Sequence, residues 1–112
     1  MRLEIHARNL PLEPTLIDFV ERRVRSAVGR LGKRLRRVVV QLADLNGPRG
    51  GQDIRCRVQA HFTAARPLVV ESVRSGPFLA VSMATDRLGR TAVRRLQRQR
   101  TRRRRLAPVR LG

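Results

Sequence analysis

Nine basic side chains at helical spacing offer the clearest chemistry in this chain. On the first predicted helix, five of them lie along one edge of the apolar stripe or just beyond it. On the second predicted helix, the other four follow one another at intervals of three, four and four residues. The nine residues are Arg22, Arg23, Arg30, Lys33, Arg34, Arg87, Arg90, Arg94 and Arg98. A guanidinium group is a planar fork that donates paired hydrogen bonds to a phosphate and stacks on bases. The pattern predicts surfaces that bind a polyanion, foremost RNA.

The charge balance of the whole chain favours the same partner. Its 112 residues include 26 Lys and Arg against 8 Asp and Glu, which gives a net charge of +18 and a pI near 12.0. Lys33 is the sole lysine. Acids are too few to pair most of the arginines, and such an excess is typical of nucleic-acid-binding proteins. Two other readings stay open: a solvated helix face that binds nothing, and an arginine bias set by genome composition.

The sequence gives little support for an enzyme, a metal-binding protein or a membrane protein. The acids are scattered among arginines and no nucleophile stands beside a base, so we predict no enzyme and no small-molecule substrate. Cys56, His6 and His61 alone cannot complete a structural zinc site, and a lone cysteine excludes an intrachain disulfide. We therefore expect no metal and no cofactor. Without a long apolar run or a signal-peptide pattern, the chain is expected to be cytoplasmic and not to contact membranes.

Four segments have the patterns of strands. Residues 2–8 and 54–62 alternate between apolar and polar side chains, as half-buried strands do. Residues 38–45 and 68–73 are rich in β-branched side chains. These patterns predict one sheet with a core face and an open face.

The second and third predicted strands carry two further features. The glycine-rich segment 47–51 predicts a hairpin tip and not a phosphate-binding loop, because no Lys-Ser or Lys-Thr pair follows it. Arg55, Arg57 and His61 are predicted to lie on the open face of the sheet. There they either form a second RNA surface or keep an exposed face soluble.

Two segments have the three-and-four apolar spacing of amphipathic helices. Thr15 and Asp18 resemble a capping box that starts the first helix. Its predicted core stripe consists of Leu16, Ile17, Val20, Val24, Ala27, Val28 and Leu31. Pro77 suits the first position of the second helix. The second stripe consists of Val81, Ala84, Leu88 and Ala92.

The order β-α-β-β-β-α predicts an α+β fold. We expect a four-stranded mixed sheet with both helices packed on one face, in which the first two strands are parallel. Residues 1–98 are predicted to form the binding domain. Residues 99–112 form an arginine-rich C-terminal segment, which we expect to fray into a mobile tail.

Several short motifs, in register with these elements, carry a family resemblance. They are Arg8-Asn9-Leu10, Leu16, Phe19-Val20-Glu21, the valine-rich second strand, Phe78, Val81, Ala84 and Asp86-Arg87-Leu88. Together they resemble the ribosome hibernation promoting factor family, also described as ribosome-associated inhibitors. The loop from Asp44 to Gly51, with Asp53 and Cys56-Arg57, is similar to short bacterial members with a single domain.

This resemblance implies a ribosome-associated translation inhibitor that acts in stress. Such a protein binds the rRNA of the small ribosomal subunit in the channel used by mRNA and tRNA, and it keeps idle ribosomes inactive by occlusion. The free protein is expected to be a monomer, and pairing of ribosomes would need another factor. The alternative is a general nucleic-acid-binding protein that responds to charge and shape, as double-stranded-RNA-binding domains do.

Overall fold

The structure, a computed structural model, describes residues 1–46 and 53–106 of the chain. The strands are β1 (Arg2–Arg8), β2 (Leu35–Asp44), β3 (Ile54–Phe62) and β4 (Ala65–Arg74). The helices are α1 (Pro14–Val28) and α2 (Pro77–Leu106). A 3₁₀ segment, Gly29–Arg34, joins α1 to β2.

The four strands form one mixed sheet in the order β1-β2-β3-β4. β1 and β2 are parallel, and the other two pairs are antiparallel. One register row runs across the whole sheet through Ile5, Val40, Val58 and Val70. Because side chains alternate between faces, this row places an apolar side chain of every strand on the same face. The predicted topology is confirmed.

Both helices cover that apolar face. α1 buries Leu16, Val20, Val24 and Val28, which follow the predicted stripe. α2 contributes its own predicted stripe of Val81, Ala84, Leu88 and Ala92 to the same core cluster. Full burial of a Val or Leu side chain stabilises a fold by roughly 1.5–3 kcal/mol. The architecture is the predicted α+β fold, with the opposite sheet face open.

The start of α1 differs from the prediction. The capping residue is Glu13, and no side chain caps the helix. The Glu13 carbonyl instead accepts hydrogen bonds from the Leu16 and Ile17 amides, both at 3.0 Å. Pro14 occupies the first turn, where its fixed φ angle suits a helix and its missing N–H has no consequence. The proposed capping box of Thr15 and Asp18 was wrong.

The first helix is also shorter than its apolar stripe suggested. α1 ends at Val28, and the chain tightens into the 3₁₀ segment before β2. Gly32 within that segment has a φ of 53°, a left-handed conformation that glycine adopts without a steric penalty. Leu31 therefore lies beyond the α-helix and packs against the core only partly buried.

The second helix extends further than predicted. α2 continues as regular helix to Leu106, eight residues past the boundary drawn at residue 98. No glycine or proline interrupts residues 99–106, and arginine is a good helix former. Residues 107–112 and the glycine loop at 47–51 lie outside the described residues. The division into a domain and a mobile tail therefore stays a prediction.

Cys56 is completely buried on β3 and gives a test of this packing. Burial raises the pKa of its thiol from 9.0 to about 12, because the apolar core disfavours the charged thiolate. We expect the native protein to resist thiol reagents at about pH 8 and the denatured protein to react at once. Since the unfolded thiol ionises first, the free energy of unfolding should fall as pH rises from 9.0 towards 12. Rapid labelling of the native protein would contradict the burial of this strand.

Candidate nucleic-acid interface

The two helices pack against each other and leave an open cleft between them, here called the helix groove. Its volume is about 440 Å³. It is lined by Arg23, Ser26, Ala27, Arg30, Thr85, Asp86, Gly89, Arg90, Val93 and Arg94. Four arginines thus meet one acid in the same cleft, and all four belong to the nine predicted site residues.

A glycine in the middle of α2 sets the spacing of the two helices at this groove. A Cβ atom on Gly89 would lie 3.3 Å from the Ala27 carbonyl oxygen and 3.5 Å from the Ala27 Cβ. Glycine in a helix interior costs roughly 1 kcal/mol relative to alanine. The close contact explains why that cost is tolerated here. Because the helices approach so closely, the arginines of both can reach one ligand.

Arg23 ties the two helices together. Its Nε donates to Thr85 Oγ1 at 3.1 Å, and its Nη2 donates to the Ser82 carbonyl oxygen at 2.8 Å. Thr85 is fully buried, and its hydroxyl in turn donates to the Val81 carbonyl oxygen at 2.7 Å. Arg23 is therefore half-buried and held in place. It positions the groove walls while adding a positive charge between them.

We predict that Arg23→Met destabilises the fold. The change keeps an unbranched apolar stem but removes the guanidinium group and its two hydrogen bonds, at a cost of about 1.5–3 kcal/mol. Arg22→Met is the matched control, because the neighbouring Arg22 is exposed and a surface ion pair contributes only about 0–1 kcal/mol. Urea unfolding of both variants measures the difference. Equal urea midpoints for the two variants would mean that the hydrogen bonds of Arg23 do not stabilise the packing of α1 on α2.

Arg30 and Arg94 are the groove residues most available to a ligand. Both side chains are exposed, and neither side chain forms a hydrogen bond or ion pair within the part of the chain that the structure describes. Arg90 Nη2 lies 3.7 Å from Asp86 Oδ2, one helical turn away, in a pair exposed to water. Such a pair is weak and exchanges readily for a phosphate. The guanidinium groups of Arg30, Arg90 and Arg94 can therefore bind one anion together.

The other predicted site residues lie outside the helix groove. Arg22 pairs with Asp18 at 2.7 Å on the exposed side of α1. Arg87 reaches the sheet, where its Nη1 donates to the Glu71 carbonyl oxygen at 2.6 Å. Arg98 borders a shallow depression further along α2. Lys33 and Arg34 line a separate cleft beside the β3–β4 turn. The nine residues therefore lie around more than one cleft, and Arg94 lines both the helix groove and the depression that Arg98 borders.

The open sheet face carries its own network of charges. Arg37 lies 3.4 Å from Glu4 Oε2 and 3.5 Å from His61 Nε2. Arg57 keeps its Nε buried without a hydrogen-bond partner among the described residues. Arg37 was missed at the sequence level because its neighbours are brought together only by the pairing of strands. Because acidic and basic side chains are mixed on this face, we expect it to attract an anion less strongly than the helix groove does.

In residues 1–46 and 53–106, no cluster of three or more His, Cys, Asp or Glu side chains is placed to hold a metal ion. Over the same residues, no helix combines the length and the apolar character needed to cross a membrane.

Two solved structures share this fold. The N-terminal domain of Protein Y from Thermus thermophilus aligns with a TM-score of 0.70 at 23% identity, covering 86% of this chain and 99% of that one. A ribosomal subunit interface protein from Coxiella burnetii aligns with a TM-score of 0.75 at 6% identity, covering 87% and 99%. No family model and no curated protein matches the chain by sequence. At these identities the likeness establishes the fold.

Proposed function

We propose that this protein binds the ribosome and holds it inactive. Its target is the rRNA of the small subunit, in the channel that mRNA and tRNA use, and it inhibits translation by filling that channel. The observation that carries the proposal is the helix groove, where Arg23, Arg30, Arg90 and Arg94 meet a single acid, Asp86. The shared fold with a ribosomal subunit interface protein supports the choice of polyanion.

The geometry suits an RNA backbone better than a small anion. The groove is an open cleft and not an enclosed cavity, so a chain of phosphates can lie across it. Arg30 and Arg94 offer free guanidinium groups, while Arg90 exchanges Asp86 for a phosphate oxygen. Arg23 stays bound to the helix backbone and lowers the electrostatic cost of bringing the phosphate close. The protein would act by occupancy, and no step of chemistry is needed.

Sedimentation tests the proposal. In a sucrose gradient of a lysate from stationary-phase cells, we expect the protein in the small-subunit and whole-ribosome fractions at moderate salt. The reason is that the subunit supplies both the phosphates and the shape that the groove accepts. Its absence from these fractions, with the protein at the top of the gradient, would contradict the proposal.

A general nucleic-acid-binding protein is the second candidate, and one observation favours it. Beyond the helix groove, α2 continues with exposed Arg98, Arg100 and Arg102, which lie on a single projecting helix and can contact any phosphate backbone. Competition separates the two functions. If duplex RNA at equal phosphate concentration displaces the protein from ribosomes, charge alone explains binding. If ribosomes retain it, the protein recognises the shape of its site.

A further inference from the structure

A second cleft lies on the other side of α2, here called the hairpin groove. It is bounded by the 3₁₀ segment, the β3–β4 turn and the C-terminal half of α2. Its lining residues are Leu31, Lys33, Arg34, Phe62, Thr63, Ala64, Ala65, Ala92, Arg95, Leu96, Gln99 and Arg102. Its volume of about 560 Å³ is within the range of about 300–1,000 Å³ typical of sites for small organic groups.

The lining of the hairpin groove combines an apolar floor with a cationic rim. Leu31, Ala92, Leu96 and Phe62 supply the apolar surface. The rim consists of Lys33, Arg34, Arg95 and Arg102, and none of the described residues that line the groove is acidic. A matching ligand has a flat or apolar part joined to negative charge. A nucleotide has this composition, since its base is a π surface and its phosphates are anionic.

Arg95 is already fixed in the position of a stacking partner. Its Cζ lies 5.7 Å from the centroid of the Phe62 ring, and its Nη1 donates to the Arg66 carbonyl oxygen. Both contacts hold the guanidinium before any ligand arrives, so little side-chain freedom is lost on binding. Arginine planes stack on unpaired bases in RNA complexes. The chain thus offers a stacking surface although it contains no Trp or Tyr.

We infer that the hairpin groove binds one unstacked base of an RNA strand. The base lies on Arg95, and the phosphates on either side contact Lys33, Arg34 and Arg102. An RNA strand is favoured as the source because a depression on α2 shares Arg94 with the helix groove and Arg102 with the hairpin groove, so arginines line the surface between the two clefts. The inference rests on the proposed binding of rRNA and adds a preference for RNA with an unpaired nucleotide.

The test compares three fluorescent RNA duplexes of one sequence. One is perfectly paired, one has a single-nucleotide bulge, and one has the same bulge without its base. Wild-type protein is expected to bind the bulged duplex at least about fivefold more tightly than the abasic one, since stacking of one base contributes that much or more. Fluorescence anisotropy at fixed salt measures the three affinities. Equal affinity for the bulged and abasic duplexes would overturn the inference.

Two variants locate the effect. Arg95→Lys keeps the charge and removes the planar group, so it should reduce the bulged-to-abasic ratio to about one. Arg25→Lys is the matched control at an exposed position outside both grooves, and it should keep the wild-type ratio. An Arg95→Lys variant with the full wild-type ratio would overturn the assignment to the hairpin groove. Circular dichroism verifies that both variants fold.

Sedimentation with ribosomes keeps this inference separate from the proposed function. A protein that sediments with ribosomes but does not distinguish the bulged from the abasic duplex overturns the inference alone. A protein that distinguishes the duplexes but stays at the top of the gradient supports the nucleotide site and overturns the proposed function.

Discussion

Affinity of the protein for the small ribosomal subunit is expected to fall about 10³- to 10⁵-fold between roughly 50 and 200 mM salt. Each phosphate that an arginine contacts releases condensed counterions, and added salt opposes that release. On the order of six to ten contacts would give this slope. The arginines of the helix groove and the exposed arginines of α2 are numerous enough to supply them.

Fluorescence anisotropy of labelled protein against purified subunits measures this salt dependence. Magnesium should be held constant so that the subunits stay folded while the monovalent salt varies. A logarithmic plot of affinity against salt concentration should be linear, with a steep negative slope. A nearly flat plot would mean that apolar or neutral contacts dominate, which would contradict phosphate binding by the grooves.

Replacement of Arg30, Arg90 and Arg94 together by alanine should lower affinity for the subunit on the order of 100-fold, because each solvent-exposed ion pair with a phosphate contributes up to about 1 kcal/mol. The salt slope should also become shallower by about two to three, because three fewer phosphates are neutralised. The fold should keep its stability. All three side chains are exposed, and the one ion pair among them, Arg90 with Asp86, is a weak surface pair.

A second triple variant controls for loss of charge. Arg8, Arg25 and Arg36 are exposed arginines that line neither groove, so their replacement by alanine removes the same charge elsewhere. This control should retain most of the affinity. If both triple variants lose affinity equally, the position of the arginines on the surface does not matter. That result would support a general nucleic-acid-binding protein that binds by charge. If the groove variant also unfolds, its arginines are structural.

The sheet and the core could be predicted from the sequence because alternation and helical spacing report burial directly. Residues 54–62 alternate without a break, and the structure places every second side chain from Ile54 to Ala60 in the core. The stripe from Leu16 to Val28 gave the buried face of α1 for the same reason. The observed register agrees with this pattern, since a shift by one residue would expose the apolar set.

The apolar stripe alone did not give the ends of α1, and the details of the site depended on contacts between elements. Pro14 stands at the start of α1, and the helix ends at Val28, before the 3₁₀ segment that contains Gly32, although the apolar stripe continued to Leu31. The arginine spacing located the helix groove, but it could not distinguish Arg23, which bonds to α2, from Arg30, which is free. Arg95 was missed because its partner Phe62 lies on another element.

A cryo-electron-microscopy structure of the protein bound to the small subunit tests the central claim most directly. We predict that the helix groove faces rRNA, with Arg30, Arg90 and Arg94 within about 3 Å of phosphate oxygens. The same map should show the protein in the channel for mRNA and tRNA. A complex in which the helix groove faces solvent, and another surface such as the open sheet face meets the subunit, would contradict the account.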